Sequence, residues 1–179
     1  MAAAKFLQGR TYLTFKLGEE VFAVDVRQVH KVLEFQDITK LPGTPDFMRG
    51  IINLRGLVVP VVDMRRKFGM EEMEITINTC IIVLEIGSGD NSTIIGALAD
   101  SVKEVFEFED GQVSPPPRLG NWSKMEFILG IGKREDEFII LLNLNRVFST
   151  DEILILGAAG EESEEEILDT GEEEESGEG

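Results

Sequence analysis

The chain has 179 residues, 42% of them hydrophobic and 28% charged, which suits one domain or two small, closely packed ones. Its formal net charge is −17 and it has no basic stripe, so nucleic acid is not expected as a partner. It shows neither a signal peptide nor a run of about 18 apolar residues, which predicts a cytoplasmic protein without membrane insertion. Residues 1–9 are expected to be a flexible N-terminus.

The first half begins with an alternating strand at Thr11–Leu17 and, after a turn at Gly18, an apolar strand at Val21–Val24. Asp25 then predicts the N-cap of a short helix. The apolar residues behind it recur at helical spacing: Val26, Val29, Val32 and Leu33. The single histidine, His30, is expected to face solvent in this helix.

A hairpin of two apolar strands follows, with its turn at Asn53-Leu54-Arg55-Gly56. Pro60 in the second strand implies an edge position or a bulge. Asp63 is predicted to cap a helix of one to two turns that stops at Gly69.

The second half repeats this plan. Residues 80–87 align without gaps with residues 11–18, and residues 126–148 align without gaps with residues 46–68. The copies extend over about residues 11–69 and 80–149, and each predicts roughly five short strands and a short helix. The expected fold is therefore all-β with a few short helices: two small, five-stranded SH3-like barrels with a groove between them. Whether the copies exchange strands stays open.

A last helix is predicted to start at Thr150-Asp151-Glu152 and to dock on the body, and residues 157–179 are predicted to be a disordered acidic tail. Residues 161–179 hold eleven acids and no Lys or Arg, so removing them from −17 leaves −6 for residues 1–160. The tail has two interpretations: a solubilising segment, or an arm that binds a basic partner or calcium.

Positions that differ between the copies are candidates for function, since shared ones such as Phe47 and Phe127 serve packing. In the first turn, Gly56 can take a positive φ, Asn53 can brace the turn, and Arg55 offers a fork of donors suited to a carboxylate. The second turn carries Lys133-Arg134-Glu135-Asp136, an ordinary charge cluster. The alternative is that Arg55 folds back onto the protein surface.

No catalytic, metal or phosphate-binding constellation emerges. One histidine cannot form a metal cluster, Cys80 lies in an apolar strand, and Asp25, Asp63 and Asp100 are better explained as helix caps. No cofactor, metal or small-molecule substrate is expected, and the chain reads as a binding module.

The phrase Thr44-Pro45-Asp46-Phe47 through Gly50, Asn53-Leu54-Arg55-Gly56 and Val59-Pro60-Val61-Val62-Asp63-Met64-Arg65 resembles the CheW-type chemotaxis coupling proteins. The opening strands fit this family as well, and the resemblance covers about residues 10–156, which sets that range as one CheW-like domain. It implies two five-stranded barrels with a groove between them and no enzymatic activity.

The resemblance further implies an adaptor that couples transmembrane chemoreceptors (methyl-accepting chemotaxis proteins) to the regulatory domain of a CheA-type histidine kinase. The receptor's cytoplasmic tip is expected to contact one set of positions: Val29, Lys31, Gly50, Asn53, Leu54, Arg55 and Gly56. Lys31 departs from the family, which often has an acidic residue there. Kinase-binding residues remain unknown and are expected at exposed loops and edges.

The resemblance therefore predicts a cytoplasmic adaptor recruited to membrane-associated receptor arrays. Two alternatives stay open. One is a CheW-like adaptor of a non-flagellar signalling array that controls surface motility or development. The other is a hydrolase that uses acids in the cleft between the barrels.

Overall fold

The computed structural model of the chain describes residues 9–72, 74–87, 89–109, 111–116 and 126–160. Two mostly antiparallel sheets dominate it, with short helices at their ends, which confirms the predicted all-β class. The predicted flexible N-terminus, apart from Gly9, and the acidic tail beyond residue 160 lie outside the described residues.

The six-stranded sheet has the order β8-β1-β2-β11-β10-β9. Its strands, in chain order, are β1 (Thr11–Leu17), β2 (Glu20–Asp25), β8 (Ser101–Glu107), β9 (Val113–Ser114), β10 (Ile128–Arg134) and β11 (Glu137–Leu142). The five-stranded sheet has the order β3-β6-β7-β5-β4. Its strands are β3 (Val29–Glu34), β4 (Met48–Leu54), β5 (Leu57–Asp63), β6 (Cys80–Ile86) and β7 (Thr93–Ala99).

Three α-helices and two 3-10 turns complete the described elements. The helices are α1 (Met64–Lys67), α2 (Leu144–Val147) and α3 (residues 150–160), and the 3-10 turns are Val26–Gln28 and Gly89–Asn91. The sequence predicted that the chain leaves the body at residue 157. Instead, the helix α3 continues through Gly157 to Gly160.

The gap-free alignments of the two halves coincide with these boundaries. β4, β5 and α1 of the first half correspond to β10, β11 and α2 of the second, and the same bulge interrupts both hairpins, at Met48/Gly50 and at Ile128/Gly130. β1 corresponds to β6 in the same way. The duplication is therefore visible in the bulges as well as in the strands.

The copies exchange strands, which settles the question that the sequence left open. β2 of the first copy pairs in parallel with β11 of the second, and β7 of the second pairs in parallel with β5 of the first. Each sheet thus contains a hairpin from one copy and three or four strands from the other. The sixth strand that was not predicted, β9, has only two residues.

The two sheets pack together over one shared core. This core contains residues of both copies, among them Phe15, Leu84, Leu142 and Phe148. Two equivalent pairs of phenylalanines make contact across the copies. Phe68 stacks on Phe127 with ring centroids 5.2 Å apart, and Phe47 lies tilted against Phe148 with centroids 5.8 Å apart. Each sheet also has a smaller apolar cluster of its own. The packing role predicted for the shared phenylalanines is confirmed.

The predicted helix behind Asp25 is wrong. Asp25 does accept a hydrogen bond from the Arg27 amide, but the 3-10 turn ends at Gln28 and β3 begins at Val29. The side chains of β3 alternate between half-buried and exposed, so Val32 is exposed and His30 faces Glu85. The corresponding segment behind Asp100 is likewise a strand, β8. A run rich in valine favours a strand over a helix at such marginal helical spacing.

Pro60 lies in an interior strand, yet its position is that of an edge. β5 pairs with β7 only from Val61 onward, so residues 57–60 pair with β4 alone. A proline is tolerated there because no strand on the other side requires its missing N–H. The helix α3 covers this side: a Cβ on Gly160 would lie 3.3 Å from the carbonyl oxygen of Val58.

A capping box starts α3, and contacts with Lys67 and with the shared core anchor the helix to the body. Ser149 and Glu152 form a capping box, in which the Ser149 amide donates to Glu152 Oε1 at 2.8 Å and the Glu152 amide donates to Ser149 Oγ at 3.1 Å. Lys67 of α1 donates to the same carboxylate at 2.6 and 2.8 Å, and Leu156 is fully buried in the shared core.

We expect the anchoring of α3 to weaken in acid. Burial disfavours the charged form of Glu152, but hydrogen bonds from Lys67 and Ser149 outweigh burial and hold its pKa below the usual value. A lowered folded-state pKa stabilises the protein above the unfolded value, and this contribution disappears as pH falls through the folded value. The free energy of unfolding of wild type and Glu152→Gln, measured from about pH 7 to about pH 3, should therefore converge toward low pH. A difference in the free energy of unfolding that stays constant across this pH range would contradict a stabilising role of the Glu152 carboxylate.

Gly50→Ala should be severely destabilising. A Cβ on Gly50 would lie 2.1 Å from the Thr39 carbonyl oxygen, and Gly50 has a φ of +146°. Steric overlap and backbone strain together should cost about 2–4 kcal/mol in urea unfolding. Gly56→Ala is the matched control, because a Cβ on Gly56 meets nothing within 4 Å at a φ of +86°, so only the strain of about 1 kcal/mol applies. Equal losses for the two variants would contradict this explanation.

Candidate functional site

The first hairpin turn has two central residues, both with left-handed backbone. Leu54 pairs with Leu57, Arg55 has φ of 53° and Gly56 has φ of +86°, which is the pattern of a type I′ turn. The Gly56 amide donates to Asn53 Oδ1 at 2.8 Å. Both the positive φ of Gly56 and the bracing role of Asn53 are as predicted from the sequence.

The side chain of Arg55 is exposed and projects from this turn. Among the described residues, its guanidinium has neither a hydrogen bond nor an ion pair, so the alternative that it folds onto the surface finds no contact there. A left-handed conformation is uncommon for a residue with a long side chain. Arg55 therefore offers five donors at the tip of a braced turn.

The second hairpin turn reproduces the backbone of the first with opposite charge. Glu135 has φ of 52° and Asp136 has φ of 66°, and they occupy the positions of Arg55 and Gly56. The same scaffold thus presents a cation in one copy and two anions in the other. The two turns differ in side chains and hardly at all in backbone.

Gly50 has a structural role instead of an exposed binding surface. It is buried at the bulge of β4, where the Thr39 amide donates to the Ile51 carbonyl at 2.9 Å and the Ile51 amide donates to the Thr39 carbonyl at 2.8 Å. The chain behind β3 thereby returns to β4, and only a glycine leaves room for the Thr39 carbonyl.

The remaining predicted contact residues are spread over the sheet. Leu54 packs against the small cluster of the five-stranded sheet, whereas Val29 packs against the shared core. Val29 and Lys31 lie on β3, at the other edge of the sheet from β4. Lys31 is half-buried and has no ion pair within the described part of the chain. The structure brings Asn53–Gly56 together in one turn but does not place Val29 and Lys31 in that turn.

A charged contact between the copies, centred on Asp100, was not predicted from the sequence. Asp100 accepts hydrogen bonds from the Gly18 amide at 2.7 Å and from Arg65 Nε at 3.0 Å, so it connects the β1–β2 turn to α1. The sequence signal was present, since Asp100 corresponds to Asp25, but it indicated only a helix cap. The hydrogen bond with Asp100 also raises the pKa of Arg65.

Asp25 and Asp63 are each held by arginines. Burial disfavours the charged form of Asp25, but hydrogen bonds and charge from Arg27, with Arg10, hold its pKa below the usual range. The fully buried Asp63 accepts the Arg66 amide as the predicted cap, and Arg49 Nη1 lies 3.7 Å from its Oδ2. Asp25 and Asp63 Oδ1 thus have structural hydrogen bonds, whereas the buried Asp63 Oδ2 has no hydrogen-bond partner among the described residues and only the ion pair with Arg49.

The described residues contain no group of three or more His, Cys, Asp or Glu side chains that could hold a metal ion. Burial raises the pKa of the Cys80 thiol, so a smaller fraction of it is present as the reactive thiolate. Within the described residues, no helix is both long and apolar enough to cross a membrane.

A concavity of about 570 Å³ lies between α3 and β5, lined by apolar residues with Glu85 and Asp90.

Comparison with known proteins identifies relatives along most of the chain. A family profile described as a CheW-like domain matches residues 11–152. The chain is 30% identical to the chemotaxis protein CheW of Klebsiella aerogenes over 148 residues, which is 83% of this chain and 87% of that protein. It is 31% identical to protein FrzA of Myxococcus xanthus over 150 residues, 83% of this chain and 91% of the relative.

A solved structure agrees. The crystal structure of the scaffolding protein TtCheW from Thermoanaerobacter tengcongensis superposes with a TM-score of 0.68 at 34% identity. The match covers 78% of this chain and 88% of the other. The sequence relatives and the fold therefore lead to the same family.

Asn53→Ala should loosen the first turn. The variant loses the Asn53 Oδ1 acceptor of the Gly56 amide, an exposed hydrogen bond of 2.8 Å. We expect a loss of about 0.5–1.5 kcal/mol in urea unfolding. Lys133→Ala, at the corresponding position of the second turn, is the control and should change stability by less than about 0.5 kcal/mol. Equal effects would show that Asn53 does not brace the turn.

Proposed function

Because the chain belongs to the family of CheW-like domains, we propose that it is a non-catalytic adaptor of bacterial chemotaxis. In this role it couples transmembrane chemoreceptors to a CheA-type histidine kinase. The observation that carries the proposal is the exposed Arg55, which has no ion pair among the described residues, at a braced turn in a chain whose relatives are chemotaxis and scaffolding proteins.

The receptor's cytoplasmic tip would bind at the turn formed by Asn53, Leu54, Arg55 and Gly56. Arg55 would form charge-assisted hydrogen bonds with a receptor carboxylate, because its planar fork matches that group. Gly56 would let the receptor approach the backbone, since a Cβ there meets nothing within 4 Å. Val29 and Lys31 would contribute from β3 if the receptor extends across the sheet. Gly50 would support the site through the Thr39 bridge.

The kinase would bind through its regulatory domain at a separate surface. The six-stranded sheet has two strongly exposed apolar side chains, Val105 at 53% and Phe138 at 65% exposure. They lie on β8 and on the β10–β11 hairpin, which the Lys103–Glu137 and Arg134–Glu104 ion pairs join. Exposed apolar side chains of this size are typical of interaction surfaces.

The protein would work in the cytoplasm and reach the membrane only by binding receptors. The alternative is an adaptor of a non-flagellar array that controls surface motility or development. The similarity to protein FrzA is the observation behind this alternative. The fold alone does not distinguish the two kinds of array. The identity of the captured partners separates the two.

Arg55→Ala should weaken receptor coupling without unfolding the protein. The lost charge-assisted hydrogen bonds would weaken binding by roughly ten- to a hundredfold. The measurement is a pull-down from the lysate of its own cell, with wild type and variant side by side. We expect both to recover a large histidine kinase, and only wild type to recover receptors in quantity.

Glu135→Ala is the matched control, because Glu135 occupies the position of Arg55 in the second turn with nearly the same φ. It should recover receptors as wild type does. Loss of receptors by both variants would show that the effect is not specific to the first turn. Lost binding together with a drop in thermal stability for Arg55→Ala would show that Arg55 has a structural role. Recovery of neither kinase nor receptor by wild type would contradict the adaptor proposal.

A further inference from the structure

The end of α3 lies against β5, the strand that directly follows the Arg55 turn. A Cβ on Gly160 would lie 3.3 Å from the Val58 carbonyl and 3.7 Å from Pro60 Cδ. Val58 is three residues from Arg55 in the chain, so their Cα atoms lie at most about 11 Å apart. The last described residue of the chain is therefore close to the proposed receptor site.

The segment that follows Gly160 carries a charge opposite to that of Arg55. Residues 161–179 contain eleven acids and no Lys or Arg, and Glu161 directly follows Gly160. Since an extended residue spans at most about 3.5 Å, three or four residues suffice to reach Arg55. The proximal five acids are Glu161, Glu162, Glu164, Glu165 and Glu166.

The local charges favour the turn over the rest of this surface. The charged residues that line the concavity between α3 and β5 are Glu85 and Asp90, which repel an acidic segment. Arg49, the other cation of the β4–β5 hairpin, is within 3.7 Å of both Asp63 and Glu72. Within the described residues, Arg55 is the cation of this hairpin that has no ion-pair partner.

We propose that the acidic segment 161–179 binds the Arg55 turn of its own chain and competes there with the receptor tip. This inference rests on the proposed function for its consequence, since the contact matters only if receptors use Arg55. A short connection raises the effective concentration of a tethered ligand to the millimolar range. Even weak ion pairs then occupy Arg55 part of the time, and salt releases them.

The contact can be tested without any receptor. The full chain is compared with two variants of equal charge, one with the proximal five acids changed to Gln and one with Glu172, Glu173, Glu174, Glu175 and Glu178 changed to Gln. Amide chemical shifts are recorded at about 20 mM and about 500 mM NaCl. We expect the Arg55 and Gly56 amides to move with salt and with the proximal variant, while the Glu135 and Asp136 amides stay in place.

Identical Arg55 and Gly56 shifts in all three chains would overturn the proposal. Equal shifts for the proximal and distal variants would also overturn it, because they would indicate a general charge effect. Binding to a purified cytoplasmic fragment of a chemoreceptor is then measured for the same chains. The proximal variant should bind roughly two- to fivefold more tightly at low salt and lose this advantage at high salt.

The two proposals fail in different ways. If the turn amides move but no chain binds a receptor fragment, the contact stands and the adaptor proposal fails. If receptors bind all chains equally while the turn amides do not move, the adaptor proposal stands and the competing segment is excluded.

Discussion

The parallel pairings of β2 with β11 and of β7 with β5 hold both sheets of this protein together. Each pairing joins a hairpin of one copy to a hairpin of the other, so neither copy has a complete sheet of its own. The shared core follows from this exchange, because residues of both copies must pack between the sheets. Phe68 on Phe127 and Phe47 on Phe148 repeat the same cross-copy contact twice. Folding is consequently expected to be cooperative over the whole body.

This rigid, duplicated frame lets side chains differ where the backbone does not. The Arg55 and Glu135 turns have φ values of 53° and 52°, yet one presents a guanidinium and the other a carboxylate. Where the frame is fixed by the core, a surface turn can change its charge at little cost in stability. The charge difference between the two turns is therefore not required by the backbone, which is why each turn serves as a control for the other.

The sequence predicted the duplication, the hairpins and the Asn53–Gly56 turn because alternation and turn chemistry are local properties. It failed at β3 and β8, because the near-helical spacing of the valines outweighed their strand preference in the prediction; these valines are Val26, Val29 and Val32 behind Asp25, and Val102 and Val105 behind Asp100. The role of Gly50 was also missed, because its reason is the Thr39 carbonyl, eleven positions earlier in the chain. Strand exchange was not predictable, since pairing within a copy or between copies buries the same apolar faces.

The helix α3 decides where the acidic segment begins, and this depends on contacts that are distant in sequence. Leu156 fills the shared core, and Glu152 binds Lys67 of α1, so the helix is fixed at both its middle and its start. Had the chain left the body at residue 157, its acids would have started from no defined place. Because α3 continues to Gly160, which lies against Val58, the last described residue of the chain is beside β5. The shared core that buries Leu156 therefore also fixes where the described part of the chain ends.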